Sequence, residues 1–495
     1  MNAIKTLKPN KSNLEIIIGL QCFFLVVLIL FRFQYEQFNS HAESLIYPFS
    51  CILCGMNVWS FWSWYILTKS LFNPYLLFLL SAFLFNGGQA ILEVLYIHKS
   101  GNLTAWELSD QLPPLSSETI LNTLFLVIIG LGALHLGALI SLGTAKVKSS
   151  SCGSKITVLV SSKNSYLIGK RLLWIALFPA LFILRDAVLI VLTSGYHSLY
   201  QQDFETSYSA APSILADFLI PGSFFLLAGS KEKSKSRLTS VIVIVIYATI
   251  RFFLGQRNQA VMPLVSLAWI WHHLIRPIPK TFLLSIGSLI LFIIFPLVAT
   301  TRNTAGQDRL SISFLLETFS SIDNPIIATI SEMGGSMLTI SYTLEIVPKD
   351  REFQMGTDYL YALFTLIPNV FGKLHPTVAR GLPNHWLTEQ INPNIAYMSG
   401  SYGFSFIAEA YLNFGWIGAP IALGVIGFLI VKLTSWAVKF RDPAKMAMIA
   451  SFLSFFLFYA RAESATVVRP LIWYSLIPYL GVCLLNHSSS KRLTR

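Results

Sequence analysis

The chain has 495 residues, of which 54% are hydrophobic, 14% aromatic and 12% charged; 36 Lys and Arg against 24 Asp and Glu give a net charge of +12. A charged fraction about half that of an ordinary soluble domain, with a mean hydropathy of +0.61, excludes a single water-soluble core. The 29 Gly, 22 Pro and five cysteines scattered through apolar runs exclude collagen-like, disulfide-rich and disordered classes, which leaves a membrane protein.

Taken in chain order, apolar runs predict an all-α polytopic protein of about twelve spans, at 14–31, 45–66, 73–96, 119–142, 172–193, 212–230, 239–254, 258–274, 281–299, 416–436, 443–461 and 468–485. The sixth is short and interrupted by Asp217, Pro221 and Gly222, and with the seventh has the weakest signal. The first has a basic start but 18 apolar residues and no small-residue cleavage pattern, which reads as an uncleaved anchor.

Lys5, Lys8 and Lys11 place the N-terminus inside, and with that orientation 23 of the 36 Lys and Arg fall on the inner side, as the positive-inside bias requires. An even number of spans returns the C-terminus to the cytoplasm. The positive charge is therefore a topology signal; its clusters sit in short loops and are not interleaved with aromatics, so no nucleic-acid partner is expected. Lysine and arginine sort differently: 17 Lys and 6 Arg lie inside, but 3 Lys and 10 Arg lie in spans or outside. Topology does not ask for this. A planar fork that matches phosphate and carboxylate explains it, and an anion handled on the outer side is expected.

One large connection, 300–402, lies between the ninth and tenth spans and outside, within a single membrane domain covering 1–495. In it, ISFLLETF and YLYALFTLIPNVFG predict interfacial or re-entrant helices, and FSFIAEAYLNFGWIG leads as helix into the tenth span. Cys51 with Cys54, and His135, His272 and His273, read as packing or helix-end residues without metal-ligand spacing.

Ionisable groups at membrane depth are the first place to look for chemistry, and here they are Glu93, Arg185, Asp186, Asp217, Arg251, Glu409, Arg461 and Arg469. The turn Gly255-Gln256-Arg257-Asn258 puts a guanidinium at a helix N-terminus, a ready phosphate site. Thr301-Arg302-Asn303, with Arg309 beyond it, opens the large loop. Together with Arg380, Arg461 and Arg469 these arginines are expected to ring an anion. His375 and His385 near Arg380, and Glu409 on the helix entering the tenth span, are candidate acids or bases. The outer side has no D-x-D pair, the nearest pattern being Asp350-Arg351-Glu352. Sugar transfer from a diphosphate would therefore rely on arginines, with neither metal nor cofactor.

The spans, the late loop, GQRNQAVMPLVSL, TRNTAG and GSYGFSFIAEAYLNFGWIGAP together resemble the Wzy-type O-antigen, or oligosaccharide repeat-unit, polymerases. The resemblance implies a metal-independent, GT-C-like glycosyltransferase in the bacterial inner membrane. It would act at the periplasmic face on undecaprenyl-pyrophosphate-linked oligosaccharides, with a flippase and a chain-length regulator as partners. It further implies pyrophosphate contacts from Arg257 and Arg302, and a loop histidine for which His375 and His385 compete. An O-antigen ligase passing glycan to lipid A core uses the same donor and stays open as an alternative. So does a lipid-linked oligosaccharide flippase or transporter, for which paired halves with matching helix breaks would be expected.

Overall fold

A computed structural model describes residues 10–35, 42–97, 112–144, 155–196, 198–201, 210–230, 233–302, 304, 311–369, 372–398 and 400–493. Every regular element among them is helical, and eleven helices are long and apolar enough to cross a membrane. Ten of the eleven are predicted spans one to seven and ten to twelve, and another is the ninth, Lys280–Thr301. The eighth is helical over Arg257–Leu274 but is not among the eleven. Its ends, RNQ and HH, are polar, and these dilute an 18-residue helix.

Burial separates the layers. The Ser117–Thr144 helix runs through the centre, with Leu121, Leu124, Phe125 and Leu131 fully buried, and packs along the Phe406–Phe440 helix. The first span, by contrast, leaves Ile16, Phe23 and Leu30 more than half exposed, a surface that fits lipid. The lone His135 of the central helix is satisfied in the core, with Tyr75 Oη at 2.8 Å and Ser63 Oγ at 2.9 Å from its two ring nitrogens. The sixth span is broken, as expected: Ala210–Ala216 and Leu219–Gly229 flank Asp217, whose Oδ2 accepts from Tyr474 Oη at 3.1 Å.

The described residues of the stretch 300–402 carry seven short α-helices, among them Ile312–Ser320, Pro325–Gly334, Ser336–Ile346, Thr357–Phe364 and Pro383–Ile391. Two of these are not simply a loop layer. Pro325–Gly334 packs against Pro74–Val94, and Ser336–Ile346, buried from Ser336 to Thr343, packs against the central helix. Their sequence, IIATISEMGGSMLTISYTLEI, is apolar enough to be buried but too short in each half to span.

Close approach fixes the first of these helices. A Cβ on Gly88 would lie 2.6 Å from Gly334 Cα, and one on Gly334 would lie 2.9 Å from Gln89 N, so the two backbones touch. Gln89 Nε2 donates to the Ser331 carbonyl at 3.1 Å, and Thr329 Oγ1 donates to the Leu291 carbonyl at 2.9 Å. The latter carbonyl lies in a π-helical stretch, Ile290–Ile294, just before Pro296 interrupts the ladder.

The second fixed point is Gly415, which at φ +62 splits Phe406–Phe440 into two helices. The carbonyls of Leu412 and Asn413 accept instead from Gln354 N at 2.9 Å and Met355 N at 3.0 Å. A glycine is required there: the left-handed backbone suits no β-carbon, and one would press on Phe353 at 3.1 Å.

The Gly88 contact predicts a contrast. Gly88→Ala should cost about 1–3 kcal/mol of stability through overpacking. Gly287→Ala, in a helix with nothing within 4 Å of the new carbon, should be neutral or stabilising. Thermal unfolding of both variants in nanodiscs checks this; equal midpoints would show that the helices do not depend on backbone contact.

Candidate functional site

The GQRN turn and the start of the long loop are pressed together. Gly255 has φ +85, and a Cβ there would lie 2.9 Å from Arg302 Cβ and 3.0 Å from the Tyr196 ring. Arg251 Nη1 donates to Gln256 Oε1 and pins the turn. Arg257 and Arg302 are thereby neighbours, though 45 positions apart in sequence.

Between them stands Glu332, carried on the Pro325–Gly334 helix that the glycine contact positions. Arg257 grips it with both terminal nitrogens, Nη1 to Oε2 at 2.7 Å and Nη2 to Oε1, while Nη1 also donates to the Phe295 carbonyl at 3.0 Å. Arg302 Nη1 stands 3.8 Å from the same Oε1, with its guanidinium over the Tyr196 ring. Arg461 reaches the group from the other end of the chain, over the Phe85 ring and within electrostatic range of Glu332, Arg257 and Arg302. Burial would raise the Glu332 carboxyl, but the Arg257 hydrogen bonds and the charges of the three arginines prevail and hold it below its ordinary value. Three guanidinium groups are gathered round one carboxylate, so among the described residues the cluster carries two surplus positive charges. Arg257 is mostly buried, at 11% side-chain exposure, whereas Arg302 is open at 32%.

Arg461 is held by its turn. The 3-10 segment Leu457–Arg461 is tied to the third span by Asn86, which donates to the Ala460 carbonyl at 2.8 Å and accepts from Ser405 Oγ at 2.6 Å. Three residues on, Ser464 donates to Glu409 through N at 3.0 and 2.9 Å and through Oγ at 2.6 Å, and Tyr459 Oη adds a fourth bond at 3.2 Å. Glu409 is 1% exposed and its two oxygens are fully occupied in clamping the 459–464 turn. Glu463, in the same turn, is different. It is 2% exposed, its Oε1 has no hydrogen-bond partner among the described residues, and burial pushes its carboxyl up to about 7.

A second group forms over the Gly415 kink. Asn413 Nδ2 donates to Asp358 Oδ2 at 3.0 Å, and Arg380 Nη2 donates to Asp358 Oδ1 at 2.8 Å, to Gln354 Oε1 at 2.9 Å and to Thr357 Oγ1 at 2.9 Å. Asp358 in turn lies within electrostatic range of Glu463 and Glu409. A cavity of about 230 Å³ opens beside it, lined in part by Arg351, Arg380, His385, Trp386 and Glu389.

Of the arginines expected to ring one anion, Arg257, Arg302 and Arg461 come together, whereas Arg380 belongs to the second group. Arg469 stands elsewhere, donating through Nε to the Thr365 carbonyl, next to Trp473 Nε1 on the Leu366 carbonyl at 3.2 Å. Arg309 lies outside the described residues. His375 caps a short helix; its Nδ1 meets Thr377 Oγ1 at 2.8 Å and its Nε2 the Ile367 carbonyl at 3.1 Å, so both ring nitrogens are engaged. His385 is exposed, on the cavity. Glu332 and Glu463 escaped the sequence reading. Each is a lone acid in an apolar stretch, and the signal that marks Glu332 is its place beside Gly334-Gly335, where a helix must touch another backbone.

No curated protein and no solved structure matches the chain. A family of membrane proteins does: the model of the O-antigen polysaccharide polymerase Wzy family matches residues 18–492, nearly the whole length, and the chain belongs to that family.

Proposed function

We propose that this polymerase draws its glycan donor from undecaprenyl pyrophosphate at the periplasmic face of the bacterial inner membrane, and holds the departing diphosphate on Arg257, Arg302 and Arg461 without a metal ion. The observation that carries the reading is the surplus of two positive charges around Glu332. Unpaired guanidinium groups in a partly dry setting are costly unless an anion completes them, and a diphosphate supplies the missing charge in the geometry the fork prefers. Phe85, Tyr196 and Phe295 back the three cations and keep them from collapsing onto other acceptors.

On this reading a hydroxyl of the incoming repeat unit attacks the anomeric carbon of the nascent chain. The bond from that carbon to the phosphate oxygen breaks, and the oxygen leaves with the lipid diphosphate, its charge stabilised by the arginines. The hydroxyl proton passes to Glu463, a buried carboxyl two residues beyond Arg461, within electrostatic range of Asp358 and with an acceptor oxygen free among the described residues. Glu409 acts through the turn it clamps and positions Arg461 and Glu463. A flippase supplies repeat units and a chain-length regulator sets when chains are released.

Two outcomes follow. Arg302→Ala and Arg461→Ala should each lower polymerisation by about 10²-fold or more, leaving single repeat units attached to the acceptor lipid. Arg257→Lys should fall nearly as far, because an ammonium lacks the planar pair of N–H groups that holds the two Glu332 oxygens and matches a phosphate edge. The glycan ladder of a deletion strain carrying each variant at wild-type membrane levels checks this. Ladders of normal length would refute the diphosphate role, and accumulation of long lipid-linked polymer without transfer would make the protein a ligase.

The base assignment predicts a pH profile. Below pH 7 the Glu463 carboxyl holds its proton and cannot take another, so the rate should rise with pH and level off above about 7. Glu463→Gln should be slow and flat over the same range. A wild-type profile unchanged by the substitution would assign the proton elsewhere.

A further inference from the structure

The second group carries chemistry that the diphosphate does not use. On its floor, Arg351 is stacked 4.1 Å over the Trp386 ring, and its guanidinium has no hydrogen-bond acceptor among the described residues. Across the opening, His385 and Glu389 lie four residues apart on the Pro383–Ile391 helix and so share a face. Both side chains are exposed, and neither is bonded through its ring or carboxylate to a described residue. Arg380 commits Nη2 to three acceptors and sets its plane 4.2 Å over Tyr361. The cavity therefore offers donors and acceptors side by side, with the Trp386 ring among them.

Its charge balance differs from that of the arginine cluster. Arg351 and Arg380 are matched by Asp358 and Glu389, so nothing remains to attract a phosphate, and an incoming phosphate would meet two carboxylates. A ligand suited to this lining is uncharged and rich in groups that donate and accept at once, as hydroxyls do. At about 230 Å³ the cavity is smaller than the roughly 300 Å³ or more that drug-sized ligands fill, which matches one sugar ring rather than a whole oligosaccharide.

We infer that this cavity binds a terminal pyranose of the acceptor repeat unit, with Arg351 and Glu389 reading its hydroxyls and His385 closing the rim. The inference rests on the polymerase reading above and adds a second substrate position to it. The acceptor is assigned here, in preference to the donor, because the cavity has no surplus charge to share a diphosphate. It also adjoins Asp358, whose field reaches Glu463, the group that takes the acceptor's proton.

The test uses the full-length protein in nanodiscs and, as probe, the free repeat-unit oligosaccharide released by mild acid from the strain's own lipid-linked pool, which carries neither lipid nor phosphate. Saturation-transfer NMR should detect binding to the wild type. Glu389→Gln and Arg351→Gln should each weaken it by about tenfold, the worth of a hydrogen bond to a charged group, and Trp386→Leu should do the same. Arg302→Ala should leave it unchanged, and added inorganic pyrophosphate should not displace it. Absence of binding to the wild type, equal binding by the cavity variants, or displacement by pyrophosphate would each overturn the proposal. Circular dichroism and thermal midpoints identify a variant that has unfolded, and the exposed His385→Ala provides a substitution that does not disturb packing. If Arg302→Ala still polymerises while the cavity variants lose the oligosaccharide, the diphosphate assignment fails and the glycan site stands.

Discussion

The grip of Arg257 on Glu332 is the contact round which the rest of the centre is arranged. Arg257 is the more buried partner of the pair, and removing the carboxylate would leave its guanidinium without the two-bond acceptor it holds. The pair is therefore a strong constraint on where the Pro325–Gly334 helix can sit. The same constraint runs backward through Gly334 to Gly88, and through Thr329 to the π-helical stretch before Pro296. A carboxylate also presents to a guanidinium the same two-oxygen edge that a phosphate does. Glu332 thus holds the Arg257 fork, and with a single charge it does not neutralise three guanidinium groups, which is the opening that the proposed diphosphate would fill.

The two polar groups are complementary. One has three guanidinium groups and one carboxylate; the other has equal numbers of each, with aromatic faces and unused donors and acceptors. The proposed reaction, which joins a diphosphate-linked glycan to an uncharged hydroxyl, needs both kinds of surface, and it needs them close. The turn 459–464 supplies the closeness: Arg461 at its start senses Glu332, and Glu463 two residues later senses Asp358. Glu409, buried beneath, fixes that spacing with four hydrogen bonds.

Much of this was legible in the sequence where the signal is one of composition. Span positions follow from apolar runs, the helical start at Phe406 from FSFIAEAYLNFG, and the expectation that Arg257 and Arg302 lie together from arginines concentrated where topology asks for none. The sorting of the arginines was not legible. Arg380 and Arg469 look like Arg302 in sequence, and their separation from it depends on which carbonyl or carboxylate each meets in three dimensions. Arg469 finds the Thr365 carbonyl, and Arg380 finds Asp358. The burial of Ser336–Ile346 against the central helix was hidden for a related reason: a short apolar helix inside a long connection has the same pattern whether it lies on a surface or beneath it. Glu409 stands out in the sequence as a candidate acid or base, but its hydrogen-bond partners are a serine and a tyrosine some 50 residues away, which no local spacing shows.

Where the helices lose their regular ladders, residues of the site take the carbonyl groups. Thr329 binds Leu291 in the π-helical stretch, Arg257 binds Phe295 one turn on, Gln354 and Met355 bind Leu412 and Asn413 at the Gly415 kink, and Asn86 binds Ala460 in the 3-10 turn. In a bilayer such interruptions survive only where protein or a polar cavity satisfies the backbone. An unbroken set of spans would leave no acceptors for these donors, and the arginines, Glu332 and the 459–464 turn would have no fixed positions relative to one another. The breaks are thus the means by which separate spans are tied to one centre. They explain how a chain so apolar can hold an arginine cluster and a polar cavity in fixed positions.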